Sequence, residues 1–118
     1  MNIKNDLIGV LKMGDEINKT SVQVKELVYI KASDVYCELY TFDGKVQIRR
    51  KSLTRFEEEL AKDGFIRVHK SYLVNMHFIK KIDNDIIDLE IAKVLMSVRN
   101  KCIVKAKYKE FCRENGKI

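Results

Sequence analysis

The stretch FIRVHKSYLVN (65–75) sets an imidazole, an ammonium and a hydroxyl side by side at His69, Lys70 and Ser71, between two apolar runs. Each of the three can donate a hydrogen bond. Such a triplet either ties a strand junction to its own backbone or faces a ligand rich in acceptors. A second cluster, Ser97-Val98-Arg99-Asn100-Lys101, holds a guanidinium among further donors. An arginine fork matches paired acceptors, and guanine O6 and N7 in the major groove are one such pair. A lysine can donate to guanine or to phosphate, while Ser, Asn and backbone N–H groups suit phosphate oxygens. The alternatives are an ion pair with a strand neighbour for Arg99 and a solvated loop lysine for Lys70.

Catalytic chemistry has little support. No GxGxxG, GxxxxGK[ST] or HExxH occurs, and there is no CxxC pair. His69 and His77 stand apart across a break, so a shared metal has no spacing argument. Ser71, His69 and Asp83 can be drawn as a nucleophile triad, but no glycine-rich elbow accompanies them. The acidic run Glu57-Glu58-Glu59 reads as a solvated helix face. The expectation is a non-enzyme that requires neither metal nor cofactor.

Elements that alternate with period two must position these groups. TSVQV (20–24), LVYIK (27–31), VYCELYTF (35–42) and KVQIRR (45–50) read as strands, with a type I′ hairpin expected at Asp43-Gly44. The period then changes. Leu53, Phe56 and Leu60 define a short amphipathic helix that Ser52 can cap and Gly64 follows. FIRVH and SYLVN come next, then a turn at Asp83-Asn84-Asp85. IIDLEI (86–91) and KVLMSV (93–98) form a further hairpin, whose Ala92-Lys93 turn is chemically poor for a two-residue loop. Ile103, Val104, Ala106, Lys107, Tyr108, Phe111 and Cys112 predict a C-terminal helix of about ten residues. The fold class is mainly β. Residues 1–19 read as an arm or linker, or as an edge strand at LIGVLKM, and 20–118 as one domain.

The 118 residues suit one domain able to bury a core without disulfides. The three cysteines, Cys37, Cys102 and Cys112, are scattered and odd in number, which predicts free thiols and a cytoplasmic location. No apolar stretch is long enough to span a bilayer, so no membrane partner is expected. Residues 1–60 hold ten Lys/Arg and ten Asp/Glu, whereas 61–118 hold thirteen and seven, so the second half carries the whole net charge of +6. From Arg99 to Lys109 there are five basic residues and no acid. A surface of this kind attracts polyanions, nucleic acid foremost.

The order VYIKASDVYCELYTFDGK, SLTRFEEEL, FIRVHKSYLVN, IKKID and MSVRN resembles the LytTR DNA-binding domain, the effector half of many bacterial response regulators. The resemblance covers about residues 20 to 112, and the SVRN stretch is similar to that of accessory-gene-regulator-like members. Phe65, Arg67, His69, Lys70, Ser71, Tyr72, Val74 and Asn75 match eight fixed types in eleven positions of the signature F-x-R-x-H-[KRN]-S-[YF]-x-V-N. The resemblance implies an elongated stack of three small antiparallel sheets with one mid-chain and one C-terminal helix. Sheet-edge loops then enter successive major grooves of duplex DNA.

The resemblance places base contacts on Lys70, Arg99 and, from the loop before the third strand, Tyr36. Phosphate contacts fall on Ser71, Ser97, Asn100 and Lys101. His69 and Asn75 take scaffold roles. The implied partners are direct repeats about one helical turn apart, two copies together on the DNA, and an upstream receiver domain or sensor kinase. Two other readings compete. One is a non-catalytic protein–protein module with a basic face. The other is RNA binding on a small platform of Tyr36 and Tyr40.

Overall fold

In a computed structural model, residues 22–116 are described. The expected LIGVLKM strand, the 1–19 arm and the first residues of TSVQV lie outside them. Among these residues, eight strands and two α-helices follow in order. These are β1 (Leu27–Ser33), β2 (Tyr36–Thr41), β3 (Val46–Arg49), α1 (Leu53–Leu60), β4 (Phe65–His69), β5 (Tyr72–Asn75), β6 (Lys81–Asp83), β7 (Ile86–Asp88), β8 (Lys93–Leu95) and α2 (Lys101–Glu114). The mainly β class is correct, but among the described residues the strands form two antiparallel sheets rather than three. One has the order β3-β2-β1-β5-β4 and the other β6-β7-β8. The described residues, sheets and helices together, span 37 × 33 × 24 Å.

Side-chain alternation explains how the layers stack. On one face of the large sheet, Ile30, Leu39 and Leu73 stand in register and pack with Leu53, Phe56 and Leu60 of α1. On the other face, Tyr29, Ile66 and Val74 meet Ile87 and Val94 of the small sheet and Val104 and Phe111 of α2. The large sheet is therefore the middle layer, buried on both sides. Helix α1 starts where the Ser52 hydroxyl accepts from the Arg55 N–H (3.2 Å). After a 3-10 turn, Gly64 takes φ +84° and redirects the chain into β4.

Several local expectations are corrected. Residues 22–24 are not a strand: Val24–Glu26 forms a 3-10 turn, with Glu26 N–H bonded to Gln23 C=O (3.0 Å). The Asp43-Gly44 hairpin is not type I′, because only Gly44 has positive φ (+86°). Its N–H donates to Thr41 C=O (3.0 Å), and the Asp43 carboxylate accepts from the Thr41 hydroxyl and the Lys45 N–H. Those local bonds favour a longer loop over a tight one.

The second hairpin turns at Glu90-Ile91, not Ala92-Lys93. Leu89 N–H donates to Ala92 C=O (2.9 Å), Ile91 N–H donates back to Leu89 C=O (2.9 Å), and Glu90 is forced to φ +77°. This is a γ-turn of the strained hand. It sets the pairs Asp88↔Lys93, Ile87↔Val94 and Ile86↔Leu95. Helix α2 begins earlier and runs longer than the spacing predicted, and it leaves Ile103 and Ala106 exposed.

The acidic run is not simply solvated. Glu57 pairs with Arg67 and Glu59 with Lys51, each at 2.9 Å. The basic run Arg49-Arg50-Lys51 is split in the same way. Arg49 and Lys51 are buried, Lys51 also lies 4.8 Å over the Phe56 ring, and Arg50 alone is exposed.

Candidate nucleic-acid interface

Antiparallel pairing gathers two turns at one end of the large sheet. Lys31 pairs with Tyr72, and Ala32 N–H donates to Ser71 C=O (2.9 Å). The β1–β2 turn beside Tyr36 therefore stands next to the β4–β5 turn, Lys70-Ser71. The exit of β3 joins them, since Arg49 pairs with Cys37 and exposed Arg50 follows.

The β4–β5 turn is braced from beneath. The Arg67 guanidinium donates through Nε to His69 C=O (3.0 Å), through Nη2 to Lys70 C=O (2.7 Å) and through Nη1 to the Glu57 carboxylate (2.9 Å). Helix α1 thus holds the arginine, and the arginine holds the turn by its carbonyl oxygens. Charge-assisted bonds of this kind are about twice as strong as neutral ones. His69 accepts the Ser71 N–H at Nδ1 (3.1 Å), and its half-buried ring tilts against Tyr72 at 5.5 Å. With Nδ1 used as an acceptor, the neutral ring carries its proton on Nε2. The ring bonds the Ser71 backbone rather than the hydroxyl, which is not the arrangement of a nucleophile and its base.

The second turn is anchored to the first. Ser97 N–H donates to Val68 C=O on β4 (2.9 Å), directly before the bend into α2. Asn100 N–H closes the turn on Ser97 C=O (3.1 Å) and also reaches Ser97 Oγ (3.3 Å). The Ser97 hydroxyl keeps its own proton to donate. Arg67, His69, Lys70, Ser97, Arg99 and Asn100 consequently line one cleft. Lys70 and Arg99 are exposed, and among the described residues neither forms an ion pair with a carboxylate.

The remaining expected residues sit around or away from this cleft. Ser71 is half-buried beside Lys70, and Lys101 opens α2 next to Asn100. Tyr36 is 37% exposed on the neighbouring turn and does not line the cleft. Asn75 lies at the opposite end of β5, fully buried. Its amide donates to Leu27 C=O (2.8 Å) and its oxygen accepts the His77 N–H (3.0 Å). His69 and His77 thus flank opposite ends of β5. Among the described residues no group of three metal-ligating side chains gathers.

Two contributors were not picked out from the sequence. Arg67 belongs to the signature, and its place three residues before Lys70 and two before His69 is the signal for its bracing role. Arg50 was hidden in a run whose other members turn inward. The cysteines do not enter the cleft: Cys37 and Cys112 are buried and Cys102 is exposed on α2. Burial pushes the Cys37 thiol up to about 11, which keeps it protonated and unreactive at neutral pH. No described helix is long and apolar enough to cross a membrane.

Known proteins resemble this chain in sequence and fold. The family model described as the LytTr DNA-binding domain matches residues 18–114. A sensory transduction protein, LytT, of Bacillus subtilis is 33% identical over 72 residues, covering 61% of this chain and 29% of its own length. An uncharacterised response regulatory protein of Vibrio cholerae is 35% identical over 75 residues, covering 61% of this chain and 28% of its own. The chain therefore spans less than a third of these curated relatives. The solved LytTr DNA-binding domain of a methyl-accepting/DNA response regulator from Bacillus cereus superposes with a TM-score of 0.63 at 25% identity, over 89% of this chain and 92% of that one. The signature, the two-sheet fold and a family match over most of its length together make this chain a member of the LytTR family of DNA-binding domains.

Proposed function

We propose that this domain binds duplex DNA sequence-specifically, laying its braced sheet end into the major groove, and that it regulates transcription in a bacterium. The observation that carries the reading is the cleft itself. Two cations, Lys70 and Arg99, come from separate elements, converge on one surface and have no carboxylate partner among the described residues. Cations held exposed and unneutralised suit a polyanion.

In this reading Arg99 takes guanine O6 and N7 as a bidentate pair, and Lys70 donates to a neighbouring guanine or phosphate. Tyr36 lies over the adjoining step. Ser71, Ser97, Asn100 and Lys101 hold phosphates and set the register. The bracing by Arg67 and Glu57 supports a specific reader, because an aimed side chain needs a rigid turn beneath it. Two copies sit on direct repeats about one helical turn apart. The chain acts in the cytoplasm as the effector of a response regulator, under a receiver domain and sensor kinase.

The test is selection from a random duplex pool, followed by anisotropy titration of the winner beside a scrambled duplex over a range of salt. The expected result is a direct repeat bound at least ~10³-fold tighter than the scramble, with affinity falling steeply as salt rises. Equal weak binding to both duplexes overturns the reading.

A further inference from the structure

The Ser97–Asn100 turn carries a side chain that its own fold does not use. Val98 is 86% exposed, more than any other large apolar side chain among the described residues. The turn is closed by Asn100 N–H on Ser97 C=O (3.1 Å), so Val98 and Arg99 occupy its two central positions. A β-branched residue has no turn chemistry to recommend it there: Gly, Pro, Asn, Asp and Ser are the residues such turns favour. Packing gives no reason either, since the side chain is outside both core clusters. An apolar tip on a turn whose other members, Ser97, Arg99 and Asn100, line the cationic cleft calls for an apolar feature on the partner.

Duplex DNA offers one such feature in the major groove, the C5 methyl of thymine. Consecutive Cα atoms are 3.8 Å apart and successive base pairs about 3.4 Å apart, so neighbouring residues at a turn tip reach neighbouring base pairs. We infer that Val98 is a specificity-determining residue that packs on a thymine methyl, one base pair from the guanine held by Arg99. This rests on the reading above and deepens it: the turn reads a thymine–guanine step, with one member recognised by burial and the other by hydrogen bonds.

The experiment uses the selected duplex. Each thymine is replaced in turn by deoxyuridine, which deletes only the methyl, and each duplex is titrated with the wild type and with Val98→Ala. In the wild type, one replacement, beside the guanine whose 7-deaza substitution is silent only in Arg99→Ala, weakens binding about fourfold. That factor corresponds to the ~0.8 kcal/mol of one buried carbon group, at 1.4 kcal/mol per tenfold. Val98→Ala binds the thymine duplex about fourfold more weakly and is indifferent to the replacement. Its unchanged melting temperature separates the effect from folding.

Strong preference for the selected duplex with no thymine that distinguishes the wild type from Val98→Ala overturns this inference and leaves the proposed function standing. Equal binding to selected and scrambled duplexes overturns both.

Discussion

The two ends of β5 use similar residues to opposite ends. At the Lys70 end, polar groups satisfy only what the turn needs, and the cations beyond it are left exposed. His69 spends Nδ1 on the Ser71 backbone, Arg67 spends its fork on two carbonyls and Glu57, and Lys70 and Arg99 remain open. At the Asn75 end, the central polar group is itself buried and fully bonded. Asn75 bridges Leu27 C=O and His77 N–H, and the His77 ring sits edge-on to Phe111 at 4.8 Å. Even the backbone is tight there: a Cβ on Gly64 would stand 2.9 Å from His77 Cε1. One end is a braced surface and the other a lock. Residues of one eleven-position signature therefore serve different tasks, distinguished by exposure and by which bonds are already filled.

The sharpest break in that contrast is Asn75→Ala. It leaves a buried carbonyl and an amide without partners, which costs about 2–4 kcal/mol. Urea denaturation should register that loss, while the folded fraction keeps its affinity for the selected duplex. A matching loss of affinity per folded molecule would make the lock part of the reading surface.

Arg99→Ala is the converse. The side chain is exposed and forms no ion pair among the described residues, so the melting temperature should not move, while binding to the selected site falls by about 1–3 kcal/mol and one base position relaxes. An equal loss on all sequences would reduce Arg99 to a phosphate contact.

Arg67→Lys lies between the two. A lysine keeps the charge but cannot hold two carbonyls and a carboxylate in one plane. We expect about 1–2 kcal/mol of lost stability. Faster amide exchange in the Lys70-Ser71 turn and a reduced ratio of selected to scrambled binding should accompany it. Stability lost with that ratio intact would mean the brace serves the fold alone.

The smallest effect is a gain. Glu90 holds φ +77°, a conformation natural to glycine. Glu90→Gly should raise stability by about 1 kcal/mol in thermal melts without changing specificity, because it relieves the turn and keeps the register. A change in base preference would show that this strain helps to aim Arg99.

The LytTR signature, the α1 cap and most strand positions were legible in the sequence because each depends on neighbours a few residues apart. Alternation in VYIK and YCELY marks a pleated face, Ser52 needs only Arg55, and the eight signature residues lie in one short run. Where such local cues competed, the reading failed: Asp43 bonded its own loop, and Glu90 accepted a strained φ so that Ile87 and Val94 could face each other in the core.

What only the tertiary structure decided is which distant groups meet. The Ser97-to-Val68 backbone bond, not any spacing, carries Arg99 to Lys70. The packing of α1 against the large sheet brings Glu57 to Arg67, buries Arg49 and Lys51, and leaves Arg50 outside. The physical reason is that hydrophobic periodicity states that a face is buried but not against what. That partner is chosen by sheet order and register, through contacts between residues far apart in the chain.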